Sequence, residues 1–426
     1  MIERKLLKNN IELVTEKVDG AKSCAVGFFF SAGSRFEGRE DRGISHFTEH
    51  MLFKGTKNFS AKELSLAFDS MGALINAYTE REEVCLFSVV PCLENNLEKA
   101  LDLMCDMSEN CIFPEDEFLK EKKVVQSEIE SLRDDADESA LDEVAAFVWK
   151  GTSLSKTIGA SVEDVEKINR LQMIEWYEKY FLHGELCIFL AGNFDLEMIL
   201  SKVEKLGQHK RVIKNPECHF NEKVLWNAGT SFVNADFFQE QIYLLFPFEA
   251  NLSERESYCL SLLNTIAGDC LSSRLFSALR EENALCYNVF SYYIIYENAA
   301  AWCACFSAEK KNILKAAKLL LSEVNDFTAK PFSQSEIERA KKHLVGEELL
   351  SAMDCEYLMR RNEKNFRQNI PLRNSSEIVD LIESLKKEEV NALAEKIFIA
   401  SKKALLFYGA GLNRKMKKNL LEMAKN

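Results

Sequence analysis

Apolar positions recur along this chain with two periods, and the switches between them mark its elements. Near the start, Lys5–Leu7 and Ile11–Val14 flank the turn-prone pair Asn9-Asn10, which predicts a hairpin. Cys24–Ser31 (CAVGFFFS) is a short apolar run of the kind that forms a buried strand. Helical spacing follows over Ile44–Phe53 and Ala61–Met71, then strand patterns over Leu74–Tyr78 and Val84–Val90. Leu93–Cys111, a long stretch from Pro114 to Trp149, and Arg170–Phe181 carry helical spacing, and Leu186–Ala191 closes the series as a strand.

The segment 207–220 (GQHKRVIKNPECHF) breaks this rhythm. It is polar, locally basic and contains Pro216, so it is expected to be an interdomain linker. Beyond it the order of elements recurs. Strands are predicted at Phe232–Phe238 and Gln241–Phe248, and helices at Leu252–Ala267 and Leu271–Arg280. Strands follow at Cys286–Ile295 and Ala299–Ser307, then two helices, the second running from Ser333 to about Arg367. Near the end, ALLFYGAG at Ala404–Gly411 echoes LCIFLAGN at Leu186–Asn193. The expectation is an α+β protein of two similar halves, 1–212 and 213–426, each a mainly antiparallel sheet covered by helices.

Composition narrows the function classes. The 426 residues are 47% hydrophobic and 28% charged, an ordinary globular balance. A formal net charge of −13 disfavours nucleic acid as a partner, because binding it needs a positive field. That charge suits solubility first and attraction of basic peptides second. The first residues, MIERKLLKNNIELVTEKVDG, lack the apolar core of a secretory signal, and no stretch offers the roughly 18 apolar residues of a membrane span. The 13 cysteines are scattered, many inside apolar runs (Cys85, Cys187, Cys303, Cys305), with no C-x-x-C pair. Buried thiols in a reducing compartment account for this, and a cytoplasmic location is expected.

The chemistry concentrates at His46-Phe47-Thr48-Glu49-His50. Residues four apart share a helix face, so His46 and His50 can reach one ion, and Glu49 projects beside them. Imidazole nitrogens suit zinc, and an adjacent carboxylate can take a proton from water activated there. This is the H-x-x-E-H order of the inverzincins. The chain has six histidines, and His183, His209, His219 and His343 lie in no ligand-like setting. A third ligand is therefore sought among carboxylates. Glu121 and Glu128 fall on one helix face two turns apart, beside Val124, Val125 and Leu132. The pattern alone leaves open whether Glu128 ligates or is an ordinary glutamate of an amphipathic helix.

Five segments together resemble the pitrilysin family, which includes insulysin and mitochondrial processing peptidase. GISHFTEHMLFKGT (43–56) resembles its active-site signature, and GALINAYTEREEV (72–84) its Gly-x-x-x-Asn-Ala-x-Thr strand. EKKVVQSEIESLRDD (121–135) resembles its third-ligand helix, SLSKTIGA (153–160) a degraded form of its Pro-Leu-Gly-x-x-x-x-Gly loop, and LSSRLFSALREENALCY (271–287) a segment of its C-terminal half. Ser127 stands where many members have a first glutamate, and Ala136 replaces a frequent proline.

The resemblance implies one zinc per chain, held by His46, His50 and Glu128, with Glu49 as general base and Glu121 supporting a ligating histidine. It implies that Arg280 and Tyr287 help bind the substrate, and that Asn76 and Ala77 lie on the edge strand that receives the peptide. Tyr287 is also a candidate oxyanion donor, against the plainer reading of a core aromatic. The second half, without an H-x-x-E-H, is expected to be non-catalytic. Chains of this length resemble half of a four-domain clamshell, so a homodimer enclosing the peptide is expected, with a heterodimer containing an inactive homologue as the rival. A non-catalytic partner subunit is the alternative function, and such chains usually carry a damaged motif. The intact motif favours a zinc metalloendopeptidase.

Overall fold

The structure is a computed structural model that describes residues 2–8, 10–204, 206, 211, 220–409 and 411–425. The expected linker at 207–220 lies outside the described residues, apart from Arg211 and Phe220. The chain forms two compact units, and each draws on both halves of the sequence. The first comprises Met1–Asp134, Lys156–Asn221 and Ser351–Asn374. The second comprises Asp135–Ser155, Glu222–Leu350 and Ser375–Asn426.

The first unit is built on strands β1 (Ile2–Leu6), β2 (Glu12–Lys17), β3 (Ser23–Phe30), β4 (Leu74–Thr79), β5 (Val84–Pro91) and β6 (Leu186–Gly192). Their order across the sheet is β1-β2-β6-β3-β5-β4. Only β2 and β6 run parallel; the other pairings are antiparallel. The expected hairpin is β1 and β2, with Leu6 opposite Glu12.

The apolar run in β3 follows from burial on both faces. Cys24, Val26, Phe28 and Phe30 point into one core, together with Ile44, Phe47 and Met51. Ala25 and Phe29 point into a second, together with Cys355, Leu358 and Met359 of helix Cys355–Arg367. Gly27 permits that second contact: a Cβ there would lie 2.5 Å from the Phe29 ring and 2.9 Å from Met359 Sδ. Period-2 alternation is thus present, but both faces are apolar.

The second unit repeats the plan with β7 (Gly229–Asn234), β8 (Glu240–Phe248), β9 (Val289–Tyr296), β10 (Ala299–Ala308) and β11 (Ala404–Gly409). Their order is β7-β11-β8-β10-β9, the order of the first sheet without β1, and again only the first pair is parallel. Ile242, Leu244 and Phe246 of β8 face one core, and Tyr243 and Leu245 face another lined by Ala140, Val144 and Val148 of helix Ala136–Val148.

Three expectations need correction. The helix expected from Pro114 to Trp149 is two helices, Glu115–Arg133 and Ala136–Val148. The helix expected from Ser333 to Arg367 is also two, Gln334–Ser351 and Cys355–Arg367. The reason is the same in both. An aspartate, Asp135 or Asp354, turns its side chain onto the next free amides and caps a new helix. The chain passes from one unit to the other at these two breaks. The strand expected at Phe232–Phe238 instead ends at Asn234, where its partner β11 ends at Gly409. Among the described residues no helix is long and apolar enough to cross a membrane.

Candidate metal centre

The motif helix, Ile44–Met51, buries Ile44, Phe47, Glu49 and Met51, while the half-buried His46 and His50 meet carboxylates of a second helix. Gly43 precedes it with φ 83°, a left-handed conformation that favours glycine. A Cβ there would meet Ala160 Cβ at 3.0 Å and the Gly159 carbonyl at 3.1 Å. The loop SLSKTIGA therefore packs against the start of the motif helix.

The second helix, Glu115–Arg133, buries Phe118, Glu121, Val125 and Ile129. Phe118 stacks on Phe47 with ring centroids 5.0 Å apart, which fixes the two helices against each other. Val124 and Leu132, expected beside the carboxylates on a partly buried face, are 50% and 40% exposed. The buried face holds Glu121, while the Glu128 side chain remains 40% accessible at its rim.

This packing brings His46, His50 and Glu128 together. The two Nε2 atoms are 3.2 Å apart. Glu128 places Oε2 3.2 Å from His50 Nε2 and Oε1 3.7 Å from His46 Nε2. Among the described residues these three form the single group whose ligand atoms all fall within 4.8 Å of one another. Glu121 meets the far side of His50, with Oε1 2.9 Å from Nδ1. Its other oxygen takes an ion pair from Lys54 at 2.7 Å. Glu49 is held by the Thr79 hydroxyl, which donates to Oε2 at 2.8 Å.

Burial and charge set the protonation tendencies. Burial, then the neighbouring His50, lowers His46 to about 4, so its ring stays neutral and able to ligate. Burial also works against charged His50, but the Glu121 hydrogen bond and the Glu49 and Glu128 carboxylates outweigh it and raise its pKa. Burial raises Glu49 against the opposing Thr79 bond. Glu121 is lowered, because the bonds to His50 and Lys54 overcome its burial.

The remaining site candidates fall in two places. Asn76 and Ala77 lie on β4, which packs beside the motif helix and forms the edge of its sheet, pairing among the described residues with β5 alone. The Asn76 side chain accepts from the Ala77 amide at 2.9 Å. Arg280 and Tyr287 belong to the second unit and stack on each other, the guanidinium 5.0 Å from the ring centroid. Tyr287 is 83% exposed, so the core-aromatic reading of it does not hold.

Sequence reasoning passed over Thr79, Lys54 and Glu37. Signals for the first two existed. Thr79 ends the Asn-Ala-x-Thr strand, and a carboxylate expected to act as base, as Glu49 is, calls for an orienting partner. Lys54 lies one turn past His50, within reach of the second helix.

Comparison with known proteins agrees with this architecture. Residues 12–161 match the model of Insulinase (Peptidase family M16), and residues 167–344 that of the Peptidase M16 inactive domain. The chain belongs to peptidase family M16. It is 30% identical over 392 residues to an uncharacterized zinc protease of Rickettsia felis, covering 92% of this chain and 94% of that one. An uncharacterized zinc protease of Bacillus subtilis is 30% identical over 405 residues, with 93% and 96% covered. The mouse mitochondrial-processing peptidase subunit beta is 26% identical over 398 residues, covering 89% and 79%. Among solved structures, a Pseudomonas fluorescens peptidase M16 inactive domain superposes with TM-score 0.84 at 16% identity, covering 97% of this chain and 98% of that one. That likeness bears on the fold alone.

Proposed function

We propose that this chain is a zinc-dependent endopeptidase whose metal is held by His46, His50 and Glu128. The observation that carries the reading is the convergence of two imidazole Nε2 atoms 3.2 Å apart with the Glu128 carboxylate, on the helix that also bears Glu49. The donor set fits the ion. Two nitrogens without a proton between them would repel, and two imidazoles with one carboxylate are a set that suits catalytic zinc with a position left open. When bound, zinc supplies Lewis acidity that stabilises negative charge on a carbonyl oxygen.

The residues of the chain do the rest. Glu49 takes the proton of the attacking water and returns it to the leaving amine nitrogen. Its burial favours the protonated form, and Thr79 fixes the oxygen it bonds, so the carboxylate is both oriented and ready to hold a proton. Glu121, anchored by Lys54, fixes the ring orientation of His50. The peptide adds as a strand to the open edge of β4, where backbone bonds give affinity with little side-chain preference. Arg280 and Tyr287 contribute to substrate binding, and Tyr287 is the candidate second oxyanion donor. Two copies enclose the substrate, each presenting this pair to its partner's zinc; an inactive monomer in sedimentation would count against that arrangement.

The test combines metal analysis with cleavage of a peptide library. Glu49→Gln is expected to keep its zinc and lose roughly 10²–10⁴-fold in kcat. A pure protein without stoichiometric zinc, whose Glu49→Gln form cleaves as well as the wild type, would overturn the reading.

A further inference from the structure

The first amides of any helix have no acceptor within it. The helix at the corresponding place in the second unit, Glu254–Asn264, meets this need locally with a capping box of Ser253 and Glu256. The motif helix has no such device, because Gly43 at its N-cap has no side chain to offer. Its acceptor comes from outside. Glu37, 3% exposed, receives the Gly43 amide on Oε2 at 2.9 Å and the Ser45 amide on Oε1 at 3.0 Å.

One planar carboxylate gripping two amides fixes the rotation of a helix turn as well as its position. Ser45 directly precedes His46, so this rotation sets where both imidazoles point. Glu37 is itself held. The Lys156 ammonium donates to its carbonyl. Two residues upstream, the Arg35 amide donates to the Arg81 carbonyl at 2.9 Å, and the Ser34 amide to that of Glu80 at 3.4 Å. Those carbonyls directly follow Thr79, which holds Glu49. The segment Gly33–Glu37 thus ties the start of the motif helix to the end of the edge strand. A buried carboxylate is a costly way to cap a helix when a serine serves the other unit. The extra cost goes with a geometry that a serine cap does not impose.

We propose that Glu37 is a positioning residue, whose carboxylate sets the orientation of the motif helix and so of His46, Glu49 and His50 at the metal. The inference rests on the peptidase reading above. It is tested on the full chain with zinc affinity, the absorption spectrum of the cobalt(II)-substituted protein and peptide cleavage. In Glu37→Gln one side-chain oxygen becomes an amide that cannot accept, so one of the two bonds is lost at nearly constant volume. The variant is expected to fold, to show an altered cobalt spectrum, and to lose roughly 10–100-fold in kcat at unchanged KM. Lys156→Met loosens the Glu37 backbone without touching its carboxylate and is expected to give the same changes more weakly. Ser253→Ala removes the cap of the corresponding helix and is expected to lower Tm while leaving spectrum and kcat alone. If both Glu37→Gln and Lys156→Met keep the wild-type spectrum and kcat, or if Glu37→Gln does not fold and Lys156→Met is unchanged, the inference falls. A wild type that takes up no cobalt and cleaves no peptide overturns the peptidase reading, and this inference with it.

Discussion

In the first unit the helix Glu115–Arg133 buries Phe118, Glu121, Val125 and Ile129; in the second, Gln334–Ser351 buries Ile337, Ala340, Lys341 and Glu348. Aligning the capping aspartates that follow them, Asp135 and Asp354, brings Phe118 onto Ile337, Glu121 onto Ala340 and Ile129 onto Glu348, while Val125 falls on the half-buried Leu344. Ala340 then stands where Glu121 does, and Glu347 where Glu128 does. A carboxylate at the position of the proposed ligand Glu128 is present in both units. Glu347, however, pairs with His343 on its own helix, one turn away, at 3.2 Å. Among the described residues, the second unit lacks the facing pair of histidines and the buried glutamate behind them. On the metallopeptidase reading proposed above, one scaffold would serve as metal centre or as plain structure, depending on two imidazoles and the group that orients them.

The comparison breaks most sharply at the two matched glutamates. Glu128→Gln is expected to weaken zinc binding by more than the roughly 10–100-fold that a lost outer partner costs, whereas Glu347→Gln leaves metal content and cleavage as they were. Equal losses from both would mean that the second unit also takes part in metal binding. Glu121→Gln sharpens the same contrast, with an expected fall of roughly 10–100-fold in zinc affinity by chelator competition. An unchanged affinity would remove Glu121 from the centre. The capping aspartates should instead behave alike. Asp135→Ala and Asp354→Ala are each expected to lose about 1 kcal/mol of stability in denaturant titration and to retain metal.

The smallest effect concerns pH. Burial pushes Glu37 from 4.5 up to about 7, against the Gly43 and Ser45 amides and the nearby Lys156. The folded chain therefore binds this proton more tightly than the unfolded chain. Its stabilising contribution is complete below about pH 4.5 and disappears as pH rises through about 7. Glu37→Gln, which cannot ionise, should show a flatter decline of Tm between those values, and an identical profile would contradict the assignment.

How legible this was from sequence depended on the range of the interaction. His46, Glu49 and His50 lie within one helix turn and a half, so spacing alone aligned them. Glu128 became visible only as one of two carboxylates on a face, because its partners arrive from more than seventy residues away. The repeat showed through the echo of β6 in β11 and the recurring order of elements, and the strand orders agree with it. The exchange of helices between units did not show. Ala136–Val148 and Cys355–Arg367 follow their predecessors after only a few residues, and an aspartate cap inside an otherwise helical composition is a weak stop. Glu37 is illegible in the sequence for the same reason that Glu128 is ambiguous there: a carboxylate six residues outside a helix announces nothing until the loop folds back.

The account turns on where the metal sits. Anomalous diffraction at the zinc edge, from crystals of the zinc-loaded protein, reads that position directly. One peak is expected about 2.0–2.2 Å from His46 Nε2, His50 Nε2 and a Glu128 oxygen, with none beside Glu347. A peak elsewhere, or zinc at this place with Glu128 turned away and no other carboxylate in its stead, would contradict it.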